Sequence, residues 1–116
     1  MNKNNLSKSF KNAFIGLINA FIKERNMKIH FLIMVLVISF GFIFNISKYE
    51  WYVCLILFGL VISTELINTA IENTVDMVTK EYSEKAKYIK DISAGAVLIN
   101  AIIAAIIGLI IFIPKF

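Results

Sequence analysis

Three stretches of the chain, about residues 29–46, 51–71 and 92–113, are almost wholly apolar, and each is near the ~20 residues a helix needs to cross a ~30 Å hydrocarbon layer. They predict three transmembrane helices. The stretch before them, about residues 6–25, has a different period. At ~100° per residue from Leu6, Phe10, Phe14, Leu17 and Phe21 fall within ~80° of one another, while Lys8, Asn12, Asn19 and Lys23 lie near 200° to 260°. That is an amphipathic helix suited to a membrane surface. The expected fold class is therefore an all-α integral membrane protein, one domain over residues 1–116, with an N-terminal amphipathic surface helix and three transmembrane helices. Residues 1–5 are polar and expected to fray, so this helix should start near Leu6 or Ser7.

The second apolar run ends in a polar seam. From Trp51 to Ile62 no side chain is charged, and then STELINTAIENTVD follows over residues 63–76. Taking Glu65 as zero, Asn68, Glu72 and Asp76 fall near −60°, −20° and +20°, so all four share one narrow face. Thr69 lies at its edge. A carboxylate inside or beside the bilayer costs roughly 2 to 3 kcal/mol or more and is a functional candidate by default. Stacked like charges are tolerated best with a cation between them.

Glu24 breaks the pattern of the first helix, because at ~0° it falls with the leucines and phenylalanines. Either the helix continues and Glu24 faces protein, or it breaks near Lys23 and leaves Glu24 an ordinary interfacial acid. His30 opens the first span and reads as a hydrogen-bonded interfacial residue rather than a ligand. The rest of that span reads as lipid-facing scaffold. In the third span, Ala101 with Ala105 and Ala104 with Gly108 have the small-xxx-small spacing of tight helix contacts, and Asn100 can add an interhelical hydrogen bond. Pro114 ends the span.

Composition agrees: 59% of the 116 residues are hydrophobic and the mean hydropathy is +0.77, more apolar surface than a soluble domain of this size could bury. The single cysteine, Cys54, excludes an intrachain disulfide and a thiolate metal cluster. A net charge of +4 could suggest nucleic acid, but the basic residues flank the spans. Lys3, Lys8, Lys11, Lys23, Arg25 and Lys28 precede the first, and Lys80, Lys85, Lys87 and Lys90 lie between the second and third. The positive-inside rule then puts the N-terminus and the second loop in the cytoplasm and the C-terminus outside. The first ~28 residues lack the apolar centre of a cleavable signal. Glu65, fourteen residues past the aromatic anchor of Tyr49, Trp51 and Tyr52, lies ~21 Å along the helix, just below the cytoplasmic surface. The loop of about residues 79–86 reads as a solvated connection.

Glu24, Glu65, Asn68, Glu72, Asp76, Lys90 and Asp91 thus project to one inner rim. Hard oxygen ligands suggest Mg²⁺, which takes one or two carboxylates, waters and substrate phosphates; zinc is disfavoured without clustered His and Cys. With Lys90 to meet phosphate and a carboxylate to take a proton, the set suits phosphoryl transfer. No GxxxxGK[ST] is present, so a nucleotide would not sit on a P-loop. An ion-transport subunit is the alternative, but its polar path should cross the membrane and this seam stops at Glu65.

The seam, with KDISAGAVLI after it and FKNAFIGLINAFIKERN before it, resembles the prokaryotic diacylglycerol kinase family, including its undecaprenol kinase branch. The match covers nearly the whole chain. It implies a homotrimer, with composite sites at subunit boundaries, that uses MgATP to phosphorylate a membrane lipid alcohol at the cytoplasmic face of the cell membrane. By position, Glu65 would be the general base with Asn68 beside it. Glu24 and Glu72 would bind the metal at the ATP phosphates, and Asp76, Glu81, Tyr82, Lys90 and Asp91 would belong to the nucleotide site. The surface helix departs from the pattern: some members place arginine and tyrosine contacts to nucleotide where this chain has Asn5 and Asn12. ERNMKIH resembles the undecaprenol branch more than the diacylglycerol branch, which tends to carry an acid where His30 stands.

Overall fold

The computed structural model describes residues 3–116; of the segment expected to fray, Met1 and Asn2 lie outside the described residues. The chain is helical from Lys3. Four α-helices follow in order, α1 (Lys3–Lys23), α2 (Arg25–Ile43), α3 (Lys48–Val78) and α4 (Glu84–Phe112), and a 3₁₀ turn, Ile113–Lys115, contains Pro114. Helices α2, α3 and α4 are each long and apolar enough to cross a membrane.

Each of these three helices starts before its apolar run and α3 also continues past the end of its run, because polar residues at helix ends still satisfy backbone hydrogen bonds. Helix α2 stops at Ile43, short of the expected residue 46, where the chain turns. Helix α3 has 31 residues, about 46 Å at 1.5 Å per residue, well over the ~30 Å of a hydrocarbon core. Its carboxylate-bearing end can therefore stand clear of the bilayer. At the other end Ser47 and Glu50 form a capping box, in which Ser47 Oγ accepts from the Glu50 N–H and Glu50 Oε1 accepts from the Ser47 N–H. Ser83 caps α4 through the Ala86 N–H, so α4 starts at Glu84 and the α3–α4 connection is shorter than the 79–86 loop expected.

Between α2 and α3 the chain turns at Phe44–Ser47, with Asn45 in the left-handed region at φ 51°, which asparagine tolerates better than most residues. Gly41 makes the turn compact. A Cβ there would stand 2.6 Å from the Trp51 ring, so only glycine lets α3 fold back this closely. Around the turn Ile46, Cys54 and Ile111 form a buried cluster, flanked by Val37, Phe44, Trp51, Phe58, Ile107 and Phe112. Phe44 meets Phe116 edge-on at 4.8 Å, and Lys115 Nζ donates to Glu50 Oε2 at 3.1 Å and to the Ile111 carbonyl at 3.0 Å.

Helices α3 and α4 share the largest contact, and α2 lies against α3. Asn100 on α4 donates through Nδ2 to the Leu60 carbonyl at 3.3 Å and to Thr64 Oγ1 at 3.4 Å, the interhelical bond its position suggested. The small-residue stripe behaves differently. Ala101, Ala104, Ala105 and Gly108 line a cavity instead of a tight contact, and a Cβ on Gly108 would meet nothing within 4 Å. Phe40 on α2 and Leu57 and Phe58 on α3 line the same cavity. Only five apolar side chains are buried among the described residues, while Leu32, Leu36, Leu98, Ile106 and Ile110 are exposed. An exterior this apolar is suited to lipid or to partner subunits.

Candidate active site

The seam on α3 is graded in exposure. Glu65 is 3% exposed and Asn68 6%, Glu72 is half-buried and Asp76 is exposed. The deep end is covered by α2 and α4 and the other end is open. Glu65 does not sit alone: His30, from the second turn of α2, brings Nε2 to 3.5 Å from Glu65 Oε2. Sequence reasoning treated α2 as scaffold and His30 as an interfacial residue. The available signal was a titratable side chain one turn and a half into an apolar helix. Asn68 Oδ1 and Ser93 Oγ, on α3 and α4, are buried without a hydrogen-bond partner. Such orphaned acceptors are uncommon and need an explanation.

Towards the open end, Lys90 on α4 places Nζ 2.6 Å from Asp76 Oδ1, and the charge of Glu72 also acts on it. Asp91 turns away, as neighbours ~100° apart on a helix must, and pairs with Lys87 at 2.6 Å on its own helix. Lys90 therefore joins the seam and Asp91 does not contact it directly. Glu81 and Tyr82 are exposed on the α3–α4 connection. There the Glu81 N–H donates to Thr79 Oγ1, and among the described residues the side-chain hydrogen bond and ion pair of Lys90 go to Asp76 rather than to Glu81 or Tyr82.

Glu24 departs from one of the two expectations. The helix breaks at Lys23, and Glu24, extended at φ −104° and ψ 120°, occupies the N-cap of α2. It is thus not on the apolar face of α1. Its carboxylate makes no capping hydrogen bond, although it is half-buried. Glu24 and Glu72 are two partly buried acids that form no ion pair within 4 Å among the described residues. Each offers hard-oxygen donors, though no group of three or more His, Cys, Asp or Glu side chains converges among the described residues. One or two carboxylates are the protein donors that a Mg²⁺ ion takes when its other ligands come from water and substrate phosphates.

A cavity of about 510 Å³ opens between α2, α3 and α4. It runs from His30 past Met34, Val61 and Ala104 to Phe112 and Phe116. Its wall is hydrocarbon except at His30 and Cys54. An apolar chain filling it would end at His30, beside Glu65 at the deep end of the seam, with Asp76 and its partner Lys90 at the other end of the same face.

The family model for prokaryotic diacylglycerol kinase matches residues 11–112. The chain belongs to this family. It is similar to an undecaprenol kinase of Bacillus subtilis, with 43% identity over 97% of this chain and 91% of that protein. It is also similar to a diacylglycerol kinase of Synechocystis, with 40% identity over 95% of this chain and 63% of that protein. The family and these relatives are lipid kinases, phosphotransferases with an alcohol acceptor, and the membrane-spanning helices agree with that class.

Proposed function

We propose that the protein transfers the γ-phosphoryl group of MgATP to the hydroxyl of a membrane lipid alcohol, undecaprenol in preference to diacylglycerol, at the cytoplasmic face of the membrane. The observation that carries this reading is the seam itself. A buried carboxylate, Glu65, stands beside His30, which lines an apolar cavity, and the same helix face leads outward through Glu72 to Asp76 and its partner Lys90.

In the proposed reaction the lipid oxygen attacks the γ-phosphorus, a new O–P bond forms, and the bond to the β-phosphate oxygen breaks to release ADP. Glu65 takes the hydroxyl proton as general base, with Asn68 one turn on to orient the alcohol. Lys90 meets the charge that develops on the phosphate oxygens. Asp76, Asp91, Glu81 and Tyr82 belong to the nucleotide end of the site. Glu24 and Glu72 would hold Mg²⁺, whose contribution is to neutralise phosphate charge. The apolar exterior supports association into a homotrimer, with α1 lying on the membrane surface: Leu6, Phe10, Phe14 and Leu17 are all exposed on it. Undecaprenol is preferred on the higher identity and coverage of the undecaprenol kinase relative. An ion-transport role has less support, because the cavity beyond His30 offers an ion almost no polar ligand.

The test is transfer of label from γ-labelled ATP by purified protein in defined micelles, with undecaprenol and diacylglycerol offered separately. Turnover several-fold higher on undecaprenol is expected. Equal turnover would defeat the preference, and no transfer to either lipid would defeat the reading.

A further inference from the structure

Glu65 is the most buried carboxylate among the described residues, and a general base in such a place must be kept ionised and correctly aimed without water to do it. Among the described residues, His30 is the one basic side chain within 4 Å of it. The two come from different helices, so their meeting is a product of the α2–α3 packing and not of local sequence. The histidine side chain is 18% exposed and the glutamate 4%. His30 also closes the inner end of the apolar cavity, so the tip of a lipid alcohol lying there would arrive at the face where the pair meets.

We propose that His30 is a positioning residue for the base: its Nε2–H donates to Glu65 Oε2, fixing the carboxylate rotamer and leaving Oε1 to receive the proton of the lipid hydroxyl. The inference rests on the reading of Glu65 as general base. At 3.5 Å the pair is longer than a formed hydrogen bond, and catalytic contacts of this kind often shorten once substrate closes the site. A donor to an ionised acceptor gives a stronger and more directional bond than a neutral pair does. Second partners of this kind tune catalytic groups by orientation, as they do metal ligands. Since Nε2 must carry the hydrogen, Nδ1 is free to face the cavity mouth, and neither nitrogen need touch the nucleotide.

The decisive experiment compares His30→Gln, which keeps an N–H near the place of Nε2, with His30→Leu, which keeps bulk without a donor. Each is made in the wild type and in Glu65→Gln, and kcat and KM are measured for ATP and for lipid on protein shown to be folded by gel filtration and thermal denaturation. In the wild type, His30→Leu is expected to lower kcat about tenfold or more with KM for ATP changed less than about twofold, and His30→Gln to retain most of kcat. In the Glu65→Gln background His30→Leu should add almost no further loss, because a residue acting through another is silent once that residue is disabled. Leu and Gln variants of equal activity would overturn the proposal, and so would a loss of the same size in both backgrounds. Glu65→Gln with normal turnover would instead defeat the base assignment, and an inactive wild type the kinase reading, so the failures are distinguishable.

Discussion

Lys90 on α4 reaches Asp76 on α3 with Nζ 2.6 Å from Oδ1, fourteen residues back along the chain. Their side chains are 37% and 56% exposed. An ion pair this wet adds little to stability, so its place at the open end of the carboxylate seam matters for what Lys90 can meet. Beside Asp76 the ammonium is held at the end of α3, and in the proposed reaction it would exchange this carboxylate for a phosphate.

Two substitutions separate these roles. Lys90→Ala is expected to lower kcat/KM for ATP by about a hundredfold or more, the scale of a charge-stabilising group in phosphoryl transfer. Asp76→Asn should leave the thermal midpoint unchanged within error. If Lys90→Ala reduced thermal stability and left ATP turnover intact, Lys90 would be a structural residue.

Removing the carboxylate of Glu65 tests the deep end of the seam. General-base catalysis contributes about 10² to 10⁴ in rate, so Glu65→Gln is expected to reduce kcat at least a hundredfold with little change in KM for ATP. The substitution keeps shape and hydrogen-bonding capacity. A variant with normal turnover, under conditions where chemistry limits the rate, would remove Glu65 from the mechanism.

The free acids Glu24 and Glu72 predict a different phenotype. Glu72→Gln should raise the Mg²⁺ concentration needed for half-maximal activity about tenfold or more, with partial recovery at high Mg²⁺, since one of two protein carboxylates is lost. A Mg²⁺ titration at saturating ATP reads this directly. An unchanged titration curve with reduced kcat would place Glu72 elsewhere in the reaction.

The helices and the seam were legible because they depend on local rules. About twenty apolar residues announce a span, and Glu65, Asn68, Glu72 and Asp76 share a face by arithmetic alone. What the pattern did not show depends on packing between helices. His30 meets Glu65 only because α2 is rotated to present it, and a uniformly apolar helix has no stripe from which to read that rotation. Glu24 lost its apparent place on α1 because the backbone breaks one residue earlier, at Lys23. Lys90 and Asp91 look like a unit in sequence and separate in space. Small residues on α4 suggested close contact, and in the single chain they line a cavity.

At the opposite end Gly41 offers a test of architecture separate from chemistry. A methyl group there would stand 2.6 Å from the Trp51 ring and 3.2 Å from Ile46 Cδ1, so the turn must open to accept it. Overpacking of this kind costs about 1 to 3 kcal/mol. Gly41→Ala should therefore lower the thermal midpoint in detergent while kcat of the folded fraction stays near that of the wild type. No change in the midpoint would mean that Trp51 can move aside freely.

Asn68 sets stability against function within one side chain. It is 6% exposed, and its Oδ1 has no hydrogen-bond partner, a condition that costs about 1 to 3 kcal/mol. A residue kept at that cost beside Glu65 is best explained by an acceptor reserved for a substrate group, such as the lipid hydroxyl or an atom that orients it. Asn68→Leu, similar in volume and free of the orphaned oxygen, should match or exceed the wild type in thermal stability and lose most of its turnover. Sites that trade stability for activity behave in this way. The measurement is the thermal midpoint and kcat on the same preparation. A less stable variant with normal kcat would show that Asn68 serves packing, and that Oδ1 finds its partner within the assembled protein.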